Sequence, residues 1–398
     1  MKAMILAAGK GTRVWPATKT IPKPMIPILG RPIMASLIEL FKKHQIDQVV
    51  VNTSYLGAVI ERCFGDGDQY GVDICYSYEG ELIDGELHDK PLGSAGGMKK
   101  VNDFCGFFDD TFLVTCGDAW IDLDINAVLQ KHREKGGIAT VVLQPIAREE
   151  VYKYGVVALD ADDRVRCFQE KPSPEEAVSN MINTGIYIFE PEIFNYIPAD
   201  IEYDIAADLL VSLVSLDVPF YATAQDFQWL DIGSISDIWR ATRAILIGEI
   251  TGYRIPGKLV REGLWLGINV AVDLDKVTIN GPVVIASGSK IEAGVTINGP
   301  TVIGANCVLE SGCVVSECLI EDYTRVAAVA DLYEKVIFSG HCINREGDFV
   351  SLQDWDIVWT IRDSRCEAGC SAIDDSELYR LAKNIQISES DGRSGASS

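Results

Sequence analysis

The sequence predicts an α/β domain built on a mostly parallel sheet, followed by a parallel β-helix. Residues 1–247 alternate short aliphatic runs with stretches of helical period, which is typical of a parallel sheet covered by helices on both faces. From residue 279 the pattern changes to an aliphatic residue at every sixth position, which is typical of a β-helix.

Aliphatic runs predict the strands of the sheet, and periodic stretches predict the helices that cover it. The stretch 34–44, for example, places Leu37, Leu40 and Phe41 on one helical face. Ligands of such sheets bind beyond the carboxyl ends of the strands, so the residues that follow each strand are the candidates for a site. Strands are predicted at 2–7, 48–52, 111–115, 139–143 and 185–189, and helices at 34–44, 125–135 and 205–215.

The six-residue period predicts the coils of the β-helix. Such a period stacks equivalent positions of short, flat faces into an internal ladder. A run of ordinary hairpins is the weaker interpretation, because hairpins predict alternation by two and irregular turns. After Val315 the spacing is shorter by one residue, and Ile320 and Val326 then continue the six-residue period. The repeated positions are Ile279, Ile285, Ile291, Ile297, Ile303, Leu309 and Val315.

Changes of composition divide the chain into successive segments. A polar, small-residue C-terminus predicts a disordered tail. The segment before it contains Trp355 and Trp359, which predict a cap that hides the apolar end of the β-helix. The predicted segments are the α/β domain at 1–247, a linker at 248–262, the β-helix at 263–345, the cap at 346–387 and the tail at 388–398.

Composition and charge exclude several classes of protein. The chain of 398 residues is 47% apolar and 23% charged, which indicates a soluble globular protein. Its net charge of -23 repels a phosphate backbone, so we expect neither nucleic acid nor a membrane as a partner. No apolar run reaches the length of a membrane span or of a signal peptide. Eleven scattered cysteines indicate reduced thiols, and we therefore expect a cytoplasmic protein.

The strongest local signal is the loop Leu6-Ala7-Ala8-Gly9-Lys10-Gly11-Thr12-Arg13, which follows the first predicted strand. Backbone N–H groups can converge on an anion where glycines let the chain approach closely. A Walker loop is excluded because Gly11 follows Lys10, and a dinucleotide fingerprint is excluded because its sixth position is Val14. A second cation, Lys23, stands between two prolines. On these residues alone, a glycine-rich turn with solvated cations remains the alternative.

Together with the motifs that follow it, this loop resembles the sugar-1-phosphate nucleotidylyltransferases. The resemblance is closest to mannose-1-phosphate guanylyltransferase-like enzymes, and it implies a Rossmann-like domain followed by a left-handed β-helix. Each motif is weak alone, but together they keep the family's order across the α/β domain. The motifs are Pro22-Lys23-Pro24, Leu92-Gly93-Ser94-Ala95-Gly96-Gly97, Cys116-Gly117-Asp118, Tyr154-Gly155-Val156-Val157, Glu170-Lys171-Pro172, Asn183-Thr184-Gly185 and Trp229-Leu230-Asp231-Ile232-Gly233.

The resemblance implies nucleotidyl transfer, in which a sugar-1-phosphate attacks the α-phosphorus of a nucleoside triphosphate and pyrophosphate leaves. It implies catalytic roles for Arg13 at the pyrophosphate, Lys23 near the α-phosphate and Lys171 at the sugar phosphate. The remaining contacts are implied for two groups of residues. Nucleotide contacts fall on Leu6, Ala7, Ala8, Gly9, Gly11, Thr12, Leu92, Gly93 and Ser94, and sugar contacts on Gly155, Glu170, Asn183 and Thr184.

Asp118 follows the predicted strand 111–115, Asp231 belongs to the last motif of the series, and the resemblance implies that the two hold Mg²⁺. Magnesium prefers a few carboxylate oxygens together with substrate phosphate oxygens and water. A helix N-cap is the alternative for Asp118, and a solvated turn is the alternative for Glu170 and Lys171.

The substrates are the least determined part of the prediction. The loop at 8–11 lacks the additional glycine typical of ADP-glucose enzymes, and Pro22-Lys23-Pro24 argues against the N-acetylglucosamine uridylyltransferase type. The remaining resemblance implies mannose-1-phosphate and GTP. Glucose-1-phosphate uridylyl- or thymidylyltransferase is the alternative. An alternative of another class is a non-catalytic subunit that binds nucleotide sugars, although such a subunit is expected to lack the cations and carboxylates found here.

The predicted β-helix also allows an acyltransferase, since many hexapeptide proteins have that activity. Those enzymes generally need a histidine as base. Only His341 lies near the repeats, and a structural role is the simpler interpretation of it. Because flat β-helix faces commonly associate, we expect a homo-oligomer.

Overall fold

The computed structural model describes residues 1–199, 201–352 and 360–366. The chain divides into two compact units. The N-terminal unit covers Met1–Ala241, and the C-terminal unit begins at Thr242. The described residues contain no helix that is both long enough and apolar enough to cross a membrane.

The N-terminal unit is built on a nine-stranded sheet. Its central strands Lys2–Leu6, Gln48–Thr53 and Phe112–Cys116 are parallel, as predicted. Met181–Phe189, however, runs antiparallel to its neighbour Phe112–Cys116, because an aliphatic run predicts a buried strand but does not encode its direction. Across the sheet the order is Val165–Glu170, Gly155–Leu159, Met181–Phe189, Phe112–Cys116, Lys2–Leu6, Gln48–Thr53 and Asp73–Tyr78, with Ala139–Pro145 pairing both Met181–Phe189 and Tyr221–Ala224.

Helices cover both faces of this sheet. One core packs the face that carries Ile5 and Val49, and the other packs the face that carries Met4 and Val50. Alternating residues of the same strands therefore enter different cores, as the period of a strand requires. The α-helices are Ile33–Lys43, Gly57–Phe64, Gly93–Cys105, Ile125–Lys135, Val211–Ser215 and Ile235–Leu246, and a π-helix, Ile205–Leu210, precedes the fifth.

Short elements complete the N-terminal unit. Two-stranded pairings join Ala119–Ile121 to Trp229–Asp231, Pro27–Ile28 to Arg31–Pro32, and Gly80–Ile83 to Glu86–Asp89. The first of these pairings places Asp231 opposite Ala119, one residue after Asp118. The single-turn and two-turn 3-10 helices are Thr12–Val14, Ala17–Lys19, Lys23–Met25, Asp68–Tyr70, Arg148–Lys153 and Pro191–Tyr196.

The C-terminal unit is a parallel β-helix whose coils are close to 18 residues long. Ile279 pairs with Ile297, a separation of 297 − 279 = 18 residues, and Ile297 pairs with Val315 at the same separation. The first coil is longer, since Leu264 pairs with Val283 and 283 − 264 = 19. The predicted one-residue slip appears where Val302 pairs with Leu319, a separation of 319 − 302 = 17. The three faces comprise Leu264–Leu266, Val283–Ile285, Thr301–Ile303, Leu319–Ile320 and Val336–Phe338; Ala271–Val272, Lys290–Ile291, Val308–Leu309 and Thr324–Val326; and Thr278–Asn280, Thr296–Asn298, Val314–Ser316 and Asp331–Tyr333.

Antiparallel strands stand at both ends of the β-helix. Lys258–Arg261 pairs antiparallel with Leu264–Leu266 at the first coil. At the last coil, His341–Ile343 and Phe349–Ser351 continue one face as hairpins, and Ile361–Asp363 pairs antiparallel with Thr324–Val326. The predicted cap residues Trp355 and Trp359 and the predicted tail at 388–398 lie outside the described residues.

Candidate active site

The loop after the first strand brings the predicted phosphate-binding residues towards Lys23. Gly11 has a φ of 61°, and a Cβ atom on it would lie 3.1 Å from Cβ of Lys23. Glycine therefore allows the close approach at this turn. Thr18 donates a hydrogen bond to the carbonyl of Gly11 at 2.8 Å. In the same loop, the Ala7 amide already donates to Oδ1 of Asn52, so this predicted nucleotide contact is not available as a donor.

Lys23, Asp118 and Asp231 form one charged cluster beyond the carboxyl end of the sheet. The Lys23 ammonium group donates to the Asp118 carboxylate, and both side chains are largely buried. The backbone of Ile232 donates to the Asp118 carbonyl, which holds the two aspartate segments side by side. The structure thus brings together three residues that are far apart in the sequence, as the prediction of a shared site requires.

The proximity of these groups shifts their pKa values. Burial disfavours the Lys23 ammonium ion, but the charges of Asp118 and Asp231 outweigh it, so the pKa of Lys23 is raised. Burial and the neighbouring charge of Asp118 raise the pKa of Asp231 to about 6. The Arg13 charge acts on both Lys23 and Asp231. Within the part of the chain that the structure describes, the exposed Arg13 side chain makes no hydrogen bond or ion pair.

The donor set at this cluster fits a magnesium ion that substrate completes. Among the described residues, no third acidic, histidine or cysteine side chain completes a metal site with these two carboxylates. Two carboxylates alone cannot enclose a metal ion. Mg²⁺ suits such a site because it keeps several waters and takes substrate phosphate oxygens. Burial and the charge of Asp118 both disfavour the ionised form of Asp231, and a bound cation would relieve this cost.

A cavity of about 290 Å³ lies beside this cluster within the N-terminal unit. Its wall includes both predicted and unpredicted residues. Leu6, Ala7, Ala8, Gly9, Lys23, Gly93, Ser94 and Asp118 were predicted, whereas Pro24, Asn52, Glu79, Pro91, Cys116 and Glu202 were not assigned a role from the sequence.

Glu79 is the most informative residue that sequence reasoning missed. It begins the acidic stretch 79–86, whose charge predicts a solvated loop and whose place before Leu92 puts it near the predicted nucleotide site, but Glu79 itself is only 2% exposed. Its carboxylate accepts hydrogen bonds from Nδ2 of Asn52 at 2.6 Å and from the Leu92 amide at 3.1 Å. Burial raises the pKa of Glu79 in spite of these bonds. In the structure Glu79 lies next to Gly97, where the absence of a side chain leaves room for it, and the sequence carries no signal of this burial.

We expect Gly97→Ala to disturb this wall of the cavity. A Cβ atom there would lie 2.3 Å from Oε1 of Glu79 and 3.0 Å from Nδ2 of Asn52. Glu79 must then give up its hydrogen bonds, at a cost of about 1–3 kcal/mol in the free energy of unfolding. Urea denaturation and the KM for the nucleotide substrate measure the effect. Wild-type values for both would show that Glu79 does not shape the site.

The predicted base-recognition loop at 92–97 uses most of its polar groups internally. The Ala95 and Gly96 amides both donate to the Tyr203 carbonyl at 2.9 Å. The Ser94 hydroxyl donates to Oδ2 of Asp204 at 2.8 Å and accepts from the Ile205 amide at 2.7 Å. These groups therefore fix the shape of the loop, and the Ser94 hydroxyl is not free to contact a base.

The predicted sugar-site residues fall into two places. Gly155 pairs with Glu170 across adjacent strands, and Nζ of Lys171 lies 2.8 Å from Oε1 of Glu170. No hydrogen bond or ion pair among the described residues links Lys171 to the charged cluster. Thr184 is 4% exposed, and its hydroxyl donates to the Val142 carbonyl. Its role as a sugar contact stays a prediction.

Asn183 and Gly185 lie nearer the cavity wall. Asn183 donates to the Tyr187 hydroxyl at 2.7 Å, and burial raises the pKa of that hydroxyl well above its usual value. A Cβ atom on Gly185 would lie 2.7 Å from Sγ of Cys116, which lines the cavity. Residues 183–185 therefore lie in the strand next to Phe112–Cys116, the strand that leads to Asp118.

In the β-helix, His341 has a structural setting. Its Nδ1 lies 2.7 Å from the Ser339 carbonyl, and its ring meets Phe349 edge-on at 5.4 Å. These contacts support the structural interpretation of His341.

Comparisons with known proteins agree with this geometry. A family model described as nucleotidyl transferase matches residues 2–247, and one described as bacterial transferase hexapeptide (six repeats) matches residues 282–317. A relative from Synechocystis, a UTP–glucose-1-phosphate uridylyltransferase, is 50% identical over 92% of this chain and 94% of its own. A mannose-1-phosphate guanylyltransferase from Mycobacterium tuberculosis is 31% identical over 74% of this chain and 79% of its own.

A solved structure supports the fold of the N-terminal unit. A Bacillus anthracis protein assigned as a glucose-1-phosphate thymidylyltransferase is 25% identical, with a TM-score of 0.53. The match covers 64% of this chain and 98% of that one. The prediction of a Rossmann-like domain followed by a left-handed parallel β-helix is confirmed, and so is the prediction of an enzyme that transfers nucleotidyl groups. The chain belongs to the nucleotidyl transferase family, as a sugar-1-phosphate nucleotidyltransferase with a hexapeptide-repeat β-helix.

Proposed function

We propose that this enzyme makes UDP-glucose and pyrophosphate from UTP and glucose-1-phosphate. The 50% identical relative, matched over nearly the whole of both chains, carries that activity in its name. Short sequence motifs favoured mannose-1-phosphate and GTP, but the relative named for that reaction matches less of the chain at 31% identity. The longer and closer match therefore supports the alternative of the sequence analysis over its first choice.

The charged cluster beside the cavity is the observation that carries the proposal. Both substrates are polyanions, so the enzyme has to overcome their repulsion and align them. Lys23 supplies a positive charge inside the site, and the neighbouring carboxylates keep it protonated in spite of its burial. Arg13 supplies a second charge with no protein partner among the described residues, so it is available to the departing pyrophosphate.

The chemistry needs no general base. The second pKa of a phosphate monoester is about 6, so the attacking oxygen of glucose-1-phosphate is ionised at neutral pH. That oxygen bonds to the α-phosphorus, the bond from the α-phosphorus to the bridging oxygen breaks, and pyrophosphate leaves. Lys23 would stabilise charge near the α-phosphate, and Lys171 would exchange Glu170 for the phosphate of the sugar.

Asp118 and Asp231 are the residues that would hold Mg²⁺. When bound, the ion would neutralise charge on the phosphate oxygens of both substrates. Because the Lys23 ammonium group donates to the Asp118 carboxylate, it would hold Asp118 in place in the absence of the ion.

A matrix of nucleoside triphosphates against sugar-1-phosphates, read by pyrophosphate release, tests the proposal. We expect the pair UTP and glucose-1-phosphate to exceed every other pair in kcat/KM by about tenfold or more, because a site that hydrogen-bonds one base leaves polar groups unpaired with another. The pair GTP and mannose-1-phosphate is the internal control. If that pair gave the highest kcat/KM, the proposed substrates would be wrong while the reaction class would stand.

A further inference from the structure

The segment Glu202–Ile205 lies directly against the loop at 92–97. The Tyr203 amide donates to the Leu92 carbonyl at 2.8 Å, and the Tyr203 carbonyl accepts from Ala95 and Gly96. Gly93 has a φ of 71°, and a Cβ atom on it would lie 2.5 Å from the Tyr203 carbonyl oxygen. The two segments are therefore in contact through their backbones, although they are about a hundred residues apart in the sequence.

Asp204 adds a side-chain connection to this backbone contact. Its Oδ2 accepts the Ser94 hydroxyl at 2.8 Å, and the Ser94 oxygen in turn accepts the Ile205 amide at 2.7 Å. Its Oδ1 accepts the Ala206 and Ala207 amides at 2.8 and 2.9 Å. One carboxylate oxygen thus holds the loop, while the other caps the π-helix that follows. Such charge-assisted bonds are stronger than neutral ones.

The connected residues line the nucleotide side of the cavity. Gly93 and Ser94 form part of its wall on one segment, and Glu202 forms part of it on the other. Because both oxygens of Asp204 are engaged by protein groups, its carboxylate does not serve as a substrate ligand. Any effect of Asp204 on substrate binding therefore has to act through the position of Ser94.

We propose that Asp204 is a positioning residue that holds the nucleotide-binding loop in its binding conformation through Ser94. A loop that is fixed before substrate arrives avoids the entropic cost of ordering it on binding. Loss of the connection therefore weakens binding of the triphosphate and leaves the charged cluster intact. The inference rests on the proposed nucleotidyl transfer reaction, and it names a residue for which that reaction alone gives no role.

Steady-state kinetics of Asp204→Asn test the inference. The amide oxygen still caps Ala206 and Ala207, but the amide group no longer accepts the Ser94 proton. We expect the KM for UTP to rise about tenfold, with kcat and the KM for glucose-1-phosphate within about twofold of wild type. Ser94→Ala should raise the KM for UTP by a similar factor, and the double variant by no more than either alone.

Two further variants serve as controls. Asp208→Asn alters a carboxylate that accepts the Asp204 amide but does not touch the loop, so we expect a wild-type KM for UTP. Ser94→Thr keeps a hydroxyl donor and should restore near wild-type behaviour. An unchanged KM for UTP in Asp204→Asn would overturn the inference. The inference would also be overturned if Asp204→Asn lowered kcat, raised both KM values and lowered the urea midpoint, because that combination would indicate a merely structural role.

The outcome separates this inference from the proposed substrates. If the wild-type enzyme used a triphosphate other than UTP, the proposed function would fail. The KM values of the same variants would then be measured with the triphosphate that the wild-type enzyme does use. A rise in that KM would support the role of Asp204, and additive effects of Asp204→Asn and Ser94→Ala would contradict it.

Discussion

Asp118→Ala should lower kcat by about 10²- to 10³-fold, the largest effect that we expect from any single substitution in this enzyme. Asp118 both accepts the Lys23 ammonium group and lies beside Asp231 in the cluster. Its loss removes one of the two carboxylates available to Mg²⁺ and leaves Lys23 without its hydrogen-bond partner. Pyrophosphate release at saturating UTP and glucose-1-phosphate measures the effect.

Asp109→Ala is a matched control for that substitution. Asp109 lies just before the strand Phe112–Cys116, whereas Asp118 lies just after it, and its exposed carboxylate pairs with Lys2 at 2.7 Å. Surface pairs of this kind contribute little, so we expect wild-type turnover and nearly unchanged stability. If Asp118→Ala kept wild-type turnover, or if both variants lost it equally, the cluster would not be the catalytic site.

Arg13→Ala should lower kcat by about 10²-fold. The Arg13 guanidinium is exposed and has no hydrogen-bond partner among the described residues, so its removal should change the free energy of unfolding by less than about 0.5 kcal/mol. Lost stabilisation of the departing pyrophosphate should therefore appear in kcat without loss of the fold. Turnover and urea denaturation, measured on the same preparation, separate the two effects.

Lys19→Ala is the control for Arg13. Lys19 is another exposed cation of the same region, and its ammonium group lies 5.3 Å from the centroid of the Trp15 ring, away from the groups that act on Asp231. We expect it to retain wild-type kcat. Equal losses in Arg13→Ala and Lys19→Ala would mean that the loss of any cation from this acidic protein lowers turnover, which would contradict a specific role for Arg13.

The fold could be predicted from the sequence where periodicity is strong. The hexads Ile279, Ile297 and Val315 stack directly, and the one-residue slip appears as a shortened coil. The helix at 125–135 has the predicted bounds. The helix Gly93–Cys105 was missed because its glycines at 93, 96 and 97 lower helical propensity, and contacts with Glu79 and Tyr203 override that preference.

The site was predictable only in part, for physical reasons. Asp118 carries a signal because it follows the parallel strand Phe112–Cys116, and parallel strands end at one edge of the sheet. Glu79 and Asp204 carry none, because each acts through a partner far away in sequence, Asn52 or Ser94.

The most direct test of the whole account follows the α-phosphate itself. The intact enzyme is incubated with Mg²⁺, glucose-1-phosphate and UTP labelled at the α-phosphorus, and the labelled products are separated. We expect the label to appear only in UDP-glucose, with one pyrophosphate released for each molecule formed and no transfer when glucose-1-phosphate is omitted. Label in free UMP or UDP, or no transfer at all from any labelled triphosphate, would contradict it.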